Sequence, residues 1–374
     1  MRYSVLARLM VPALLLSGLA LAADRAGQRA DDQPEGVAEA HRSPVALALS
    51  ADGGRLLTAN QGSGTVSLVD TKVGKVLFEQ TTGAKPAGVA FSRDGRRAVV
   101  THWYGSNLAI LDVGADRFEV VGRVNVGPEP RGVALSADGA TAYVAVGVAN
   151  EVVRVDCVDQ KVSGRLTVGR EPRGVALSAD GRQLLVGNGR GQSLSVVSTA
   201  DWKVERTVPI DGANLRQVVI ADDGLTGYVV NMRNRGFATT RNHIDLGWVL
   251  GQRLTRIRLD SADDDFETLS LDPQGEAAAD VYGLALSPDG QRIAVSSAGT
   301  HEIFLITSGP KSLPWRVNNS RDLIAPELLK DDRFRRIAVG GRPTELAFSP
   351  DGRTVYIANT FADAVQVLDP ETGK

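Results

Sequence analysis

Cysteine is almost missing from this chain: Cys157 stands alone in 374 residues. A single thiol excludes an intrachain disulfide, a CxxCH haem attachment and a cysteine-rich zinc site within the chain. Its place in the apolar run Val152–Val158 points to a small core residue. Histidine is scarce as well. His41, His102, His243 and His301 are isolated, with no HxH or HExxH pair, so a metal site has to assemble from distant segments. No GxSxG, P-loop or dinucleotide-binding glycine fingerprint is present. Charge of one sign is also lacking. The net charge is −2, and no basic run interleaved with aromatics occurs, which argues against a nucleic-acid footprint.

What is present in quantity is one phrase, a short apolar run that ends in Asp-Gly, and it returns seven times. It reads LALSADG at Leu47–Gly53, VAFSRDG at Val89–Gly95, and VALSADG at Val133–Gly139 and Val175–Gly181. A degenerate copy, VVIADDG, ends at Gly224, and LALSPDG and LAFSPDG end at Gly290 and Gly352. Asp52, Asp94, Asp138, Asp180, Asp223, Asp289 and Asp351 are separated by 42, 44, 42, 43, 66 and 62 residues. A period near 43 decides architecture before any single motif does.

Each period holds four short apolar segments. In the first, Val45–Leu49 runs into the turn Ala51-Asp52-Gly53, where positive φ is cheap for Gly and tolerated by Asp. Arg55–Asn60, the alternating Thr65–Asp70 and Lys75–Gln80 follow, each after its own turn. Apolar residues three and four apart do not recur, so helical repeats are excluded. Four strands repeated seven times predict an all-β, seven-bladed β-propeller, whose blades bury their faces against one another around an axis.

Tyr228-Val229-Val230-Asn231, Tyr143-Val144-Ala145-Val146, Tyr356-Ile357-Ala358-Asn359 and Leu57-Thr58-Ala59-Asn60 resemble the second-strand signature of YVTN-type propeller repeats. The Gly-x-x-Pro-x-Gly-Val-Ala openings at Gly127–Ala134 and Gly169–Ala176 are similar to that family's too. The resemblance runs from about Pro44 to the C-terminus. It implies the propeller fold but no one activity, because such propellers serve as enzyme subunits, lactonase relatives, surface proteins and plain binding platforms.

The ends carry expectations of their own. Residues 1–22 have the marks of a secretory signal: Arg2 and Arg8, the apolar run Leu9–Leu21, and Ala20-Leu21-Ala22 as a small-x-small cleavage pattern. That predicts an exported protein, periplasmic or extracellular, with no stable membrane span after cleavage. Residues 23–43 are expected to be a flexible lead-in, and 44–374 the propeller. The seventh repeat has three strands before Lys374, so its outer strand is expected to be lacking. The expectation is that the natural product continues or that a partner strand covers the edge.

Two repeats break the period by about 20 residues each. The fifth carries an insertion at 231–251, before a third strand expected at Arg253–Asp260. The sixth carries one at 308–332, with a short helix expected at Asp322–Lys330. Antiparallel meandering puts the fifth-repeat insertion on the rim of the blade-to-blade connections and the sixth on the opposite rim. The first rim is the candidate binding site. Arg131, Arg173 and Arg342 lie in the blade openings, and the insertion adds Arg233, Arg235, Arg241 and His243. Guanidinium groups around a channel mouth suit a small anionic ligand or an acidic partner protein. A competing reading has the same arginines pairing with Glu129 and Glu171 between blades. His102-Trp103-Tyr104 offers a contact surface or a general base, against the alternative of a structural loop. Asp260–Asp265 resembles a calcium loop only loosely, and a solvated turn is the other reading.

No catalytic constellation, no metal site and no cofactor is expected in this chain, which favours an exported binding platform. The alternative is an enzyme or enzyme subunit of lactonase or amine-dehydrogenase type. The segments 231–251 and 315–332 resemble the propeller portion of exported bacterial proteins in which a c-type, di-haem peroxidase-like cytochrome domain follows. That resemblance implies docking of a redox module as a separate or missing cytochrome domain, because this chain has no CxxCH.

Overall fold

The computed structural model describes residues 41–234, 238–245, 250–273, 275–317, 325 and 327–374. The expected signal segment, nearly all of the expected lead-in, Arg235 and residues 322–324 and 326 of the expected helix lie outside these residues.

Seven antiparallel sheets follow one another along the chain, as the period predicts. Blade 1 runs Pro44–Leu49, Arg55–Asn60, Thr65–Asp70 and Lys75–Thr81, each strand paired with the next. Blades 2, 3 and 4 repeat that plan from Pro86, Pro130 and Pro172, and blade 6 repeats it from Val281. The first strands of consecutive blades neighbour one another, and the first strand of blade 7, Pro343–Phe348, neighbours that of blade 1. The ring therefore closes on itself. Blade 7 has three strands among the described residues, ending with Ala364–Leu368. Val365 and Val367 on that last strand face a groove of about 320 Å³ against blade 1.

Burial follows position in the blade. The second strands are almost wholly buried, as in Arg97–His102 and Gln183–Asn188. Outer strands such as Lys161–Thr167 alternate between exposed and half-buried residues, the pattern of a sheet edge with one face on the core. Cys157 is buried beside Val153 and Val155, and burial pushes its thiol up to about 11. That is the environment of an inert core residue.

The recurring Ser-x-Asp-Gly phrase is a turn that binds itself. In blade 1 the Ser50 hydroxyl donates to the Asp52 carboxylate at 2.6 Å, the Gly54 N–H donates to the same oxygen at 3.0 Å, and the Arg55 N–H donates to the Ser50 oxygen at 3.0 Å. The network recurs at Ser92–Asp94, Ser136–Asp138, Ser178–Asp180, Ser287–Asp289 and Ser349–Asp351. All seven glycines that follow these aspartates adopt positive φ, from 66° at Gly95 to 74° at Gly181.

The serine hydroxyl and the backbone N–H hold the Asp180 carboxyl below its ordinary value. A carboxyl whose value is lowered by folding stabilises the fold above its unfolded value and loses that effect as pH falls through the folded one. Asp180→Asn should therefore lower Tm at pH 7 and less at pH 3, because the stabilisation diminishes once pH falls below the unfolded carboxyl's value. An equal penalty at both pH values, in matched thermal melts, would refute this account of the turn.

The two insertions depart from expectation in instructive ways. In blade 5 the second strand continues to Asn234 and the third begins at Leu250, with Arg233 opposite Gly251. The expected insertion at 231–251 is shorter than its sequence limits because the hairpin ladder extends into it from both sides. In blade 6, Arg316–Val317 pairs with Phe266–Ser270 and gives blade 5 a fifth, outermost strand. Trp315 packs edge-on against Tyr228 at 6.0 Å, and the Arg256 guanidinium lies 4.3 Å from the Trp315 ring centre. Leu313, Ala325 and Leu328 enter the core cluster shared by blades 5 and 6. Of the helix expected at 322–330, the described residues contain one turn of 3-10 helix, Leu328–Lys330.

Candidate functional site

The first strand of every blade lines the central channel, and the blade openings surround its mouth. Val45, Val89, Val133, Val175 and Val218 contribute an apolar wall to a cavity of about 340 Å³. Arg131, Arg173, Arg216 and Arg342 border the same cavity, together with Trp103 and Tyr282. The turn before each opening is tightly wound: Lys85, Glu129 and Glu171 all have φ between 51° and 56°, left-handed values that non-glycine residues seldom adopt. In Glu171 this conformation is supported by the Asn150 side chain, which accepts the Glu171 N–H at 2.8 Å.

Both readings of the arginines have substance. Arg173 donates to Glu171 at 2.6 Å, and Glu171 also takes Arg190 at 2.7 Å. Arg131 is more loosely held, 3.5 Å from Glu129 and 4.0 Å from Glu171, with its guanidinium 4.9 Å from the Trp103 ring centre. Arg216 and Arg342 share Asp280, at 2.5 Å and 3.1 Å, and both lie over the Tyr282 ring. Five guanidinium groups thus meet three carboxylates around the mouth. The carboxylates fix the forks in place, the aromatic faces support them, and an excess of positive charge remains.

Of the fifth-blade insertion, Arg233 and His243 have partners apart from this cluster. Arg233 sits on the extended ladder and pairs with Asp211 at 2.7 Å. Arg241 and His243 belong to the short helix Arg241–Asp245, where His243 exchanges hydrogen bonds with Thr240. Sequence reasoning grouped them with the mouth because the loop connects on that rim. The longer hairpin carries them to contacts of their own. Arg216, which its blade opening places on the same rim, belongs to the cluster as well.

His102 ends the second strand of blade 2, the position that Asn60, Asn188, Asn231 and Asn359 take in other blades. It is fully buried, with its ring nitrogens 3.1 Å from Asn107 Oδ1 and 3.0 Å from Thr82 Oγ1. Burial, aided by Arg123, lowers its value to about 4. It fills a core position and has no access to a substrate as a general base. Tyr104 is 67% exposed, whereas Trp103 turns to the channel. Asp260 pairs with Arg258 at 2.7 Å, and among the described residues no group of three or more potential ligands gathers to hold a metal ion.

Deeper in the channel stands Glu345, which sequence reasoning missed. Its carboxyl spans three blades. One oxygen accepts the Leu47 N–H of blade 1 at 2.9 Å, and the other accepts the Gln217 side chain of blade 5 at 2.9 Å. Burial pushes it up to about 7 in spite of both donors.

Fold and site together define a seven-bladed propeller with a basic, aromatic-supported channel mouth and one acid in its interior. Comparison with known proteins adds relatives. No family model matches the chain. It is 27% identical over 171 residues to hydrazine synthase subunit beta of Kuenenia stuttgartiensis, a match covering 44% of this chain and 43% of that protein. The solved structure of Kuenenia stuttgartiensis hydrazine synthase superposes with a TM-score of 0.78 at 24% identity, over 90% of this chain and 98% of the matched one. The β-propeller domain of Myceliophteria thermophila Cps50 (Swd1) follows the same path with a TM-score of 0.64 at 14% identity, covering 87% and 97% of the two chains. The structural likenesses establish the fold.

Proposed function

We propose that this protein is an exported, non-catalytic interaction subunit that docks an acidic surface of a partner protein on its channel-mouth face. The observation that carries the reading is the convergence of Arg131, Arg173, Arg216 and Arg342 on one opening. Resemblance to a protein named as a subunit supports a place within a larger assembly. The partner we propose is a redox module of c-type cytochrome kind, following the resemblance of segments 231–251 and 315–332.

Exposed charge pairs are screened over ~8 Å at physiological ionic strength, so docking of this kind weakens with salt. In size-exclusion runs on material from its native source, the protein should elute with its partner at low salt and separate at high salt. Arg131→Ala with Arg342→Ala should shift that separation to lower salt, chiefly by slowing association. Elution alone at every ionic strength, or a complex indifferent to both salt and the arginines, would overturn the reading. Turnover of a lactone, with or without divalent metal, would favour the alternative of a propeller enzyme.

A further inference from the structure

We infer that the central channel is a binding site for a small organic dicarboxylate, one carboxyl held by the arginines at the mouth and the other by Glu345 and Gln217 inside. The inference deepens the anion-binding reading of the same face and rests on it for the arginines.

Three features of the cavity select this class of ligand. Its volume, about 340 Å³, is that of a small-molecule site. The arginine forks match carboxylate geometry and are already oriented by Glu171, Asp280 and the two aromatic rings. Valines from five blades line the same cavity, which favours a short hydrocarbon body over an inorganic anion. Arg342 immediately precedes the strand Pro343–Phe348 that carries Glu345, and both line the same cavity, so a ligand with a carboxyl at each end can meet both.

Glu345 decides which form the inner end takes. Among the described residues it is the one carboxyl lining the cavity; the other charged groups there are the four arginines, and Glu129, Glu171 and Asp280 lie behind them. Its partners, the Leu47 N–H and the Gln217 amide, are both uncharged donors. A neutral Glu345 can donate its own O–H to an incoming carboxylate, whereas an ionised one repels it. Binding of a dicarboxylate therefore draws a proton onto Glu345, and affinity rises as pH falls through about 7.

Isothermal titration of the mature chain with succinate, at pH 6 and pH 8, tests this. The expected result is severalfold tighter binding at pH 6, with net proton uptake seen by comparing buffers of different ionisation heat. Glu345→Gln, which keeps a donor at that place, should bind succinate equally at both pH values. Inorganic phosphate should bind more weakly than succinate. No succinate heat at millimolar concentration, no proton uptake by the wild type, or an unchanged pH dependence in folded Glu345→Gln would each overturn the inference. Salt-sensitive co-elution with a partner but no succinate binding would defeat the channel site alone. Succinate binding without co-elution would defeat the docking reading alone.

Discussion

Gly174→Ala is expected to cost at least ~3 kcal/mol of folding stability, the upper end of what overpacking a core does. Gly174 lies in the first strand of blade 4, and a Cβ placed there collides with the Arg216 carbonyl oxygen of blade 5 and comes within 3.0 Å of the Val218 backbone nitrogen. The obstacle is backbone, so no rotamer change relieves it. Its equivalents behave alike: a Cβ on Gly132 collides with the Arg173 carbonyl, and one on Gly88 meets the Arg131 carbonyl at 2.6 Å. These are the glycines of the Pro-x-Gly-Val openings, and their role is to let neighbouring inner strands approach around a narrow axis. Gly181→Ala provides the contrast. Gly181 has φ 74° with nothing within 4 Å of an added methyl, so only left-handed strain of ~1–2 kcal/mol opposes it. Urea denaturation of both variants should rank Gly174→Ala well below Gly181→Ala. The reverse order would mean that the inner strands have room to spare.

The same glycines show why the fold was legible in this sequence. Seven copies of one turn, four apolar segments in each of the first six copies and a recurring opening each state the local structure separately, and they agree. Rim placement of Arg131, Arg173 and Arg342 followed from strand direction alone. What escaped was whatever depends on partners far along the chain. Glu345 sits in an ordinary-looking Pro-Thr-Glu-Leu opening, and only the ring brings it to Leu47, 298 residues away, and Gln217, 128 residues away. Arg233 looked like one more rim arginine, because the sequence does not say how far a hairpin ladder climbs into a loop. Trp315 and Leu328 carried no periodic signal either, since Trp315 covers blade 5 and Leu328 joins a core cluster shared by blades 5 and 6.

That long-range fastening leads to the second large effect, at Asp272. Asp272→Ala should destabilise the protein by about 3 kcal/mol or more, since each buried polar group left without its partner costs ~1–3 kcal/mol. The carboxyl is fully buried between blades 5 and 6. It accepts the Gln252 N–H from the third strand of blade 5 and the Ala278 N–H, at 2.9 Å, from the segment leading to blade 6. The Arg253 guanidinium, equally buried, is 3.8 Å away. The Asp272 carbonyl also takes the Ala325 N–H at 2.8 Å, which ties down the sixth-blade insertion. Burial outweighs these donors and pushes the carboxyl up to about 7. A carboxyl raised by folding stabilises most fully below its unfolded value, and that effect is lost as pH rises through the folded one. Wild-type stability should therefore fall through this group between about pH 4 and pH 7, and Asp272→Asn, which keeps one acceptor, should remove that slope at a smaller cost than alanine. Replacing Arg253 by Met together with Asp272 by Leu should cost less than the two single changes added, because a buried ionic pair exchanged whole for apolar groups leaves no charge behind. Urea titrations of these variants at pH 5 and pH 7 supply every comparison, and an Asp272→Ala protein within ~0.5 kcal/mol of wild type would refute the fastening role.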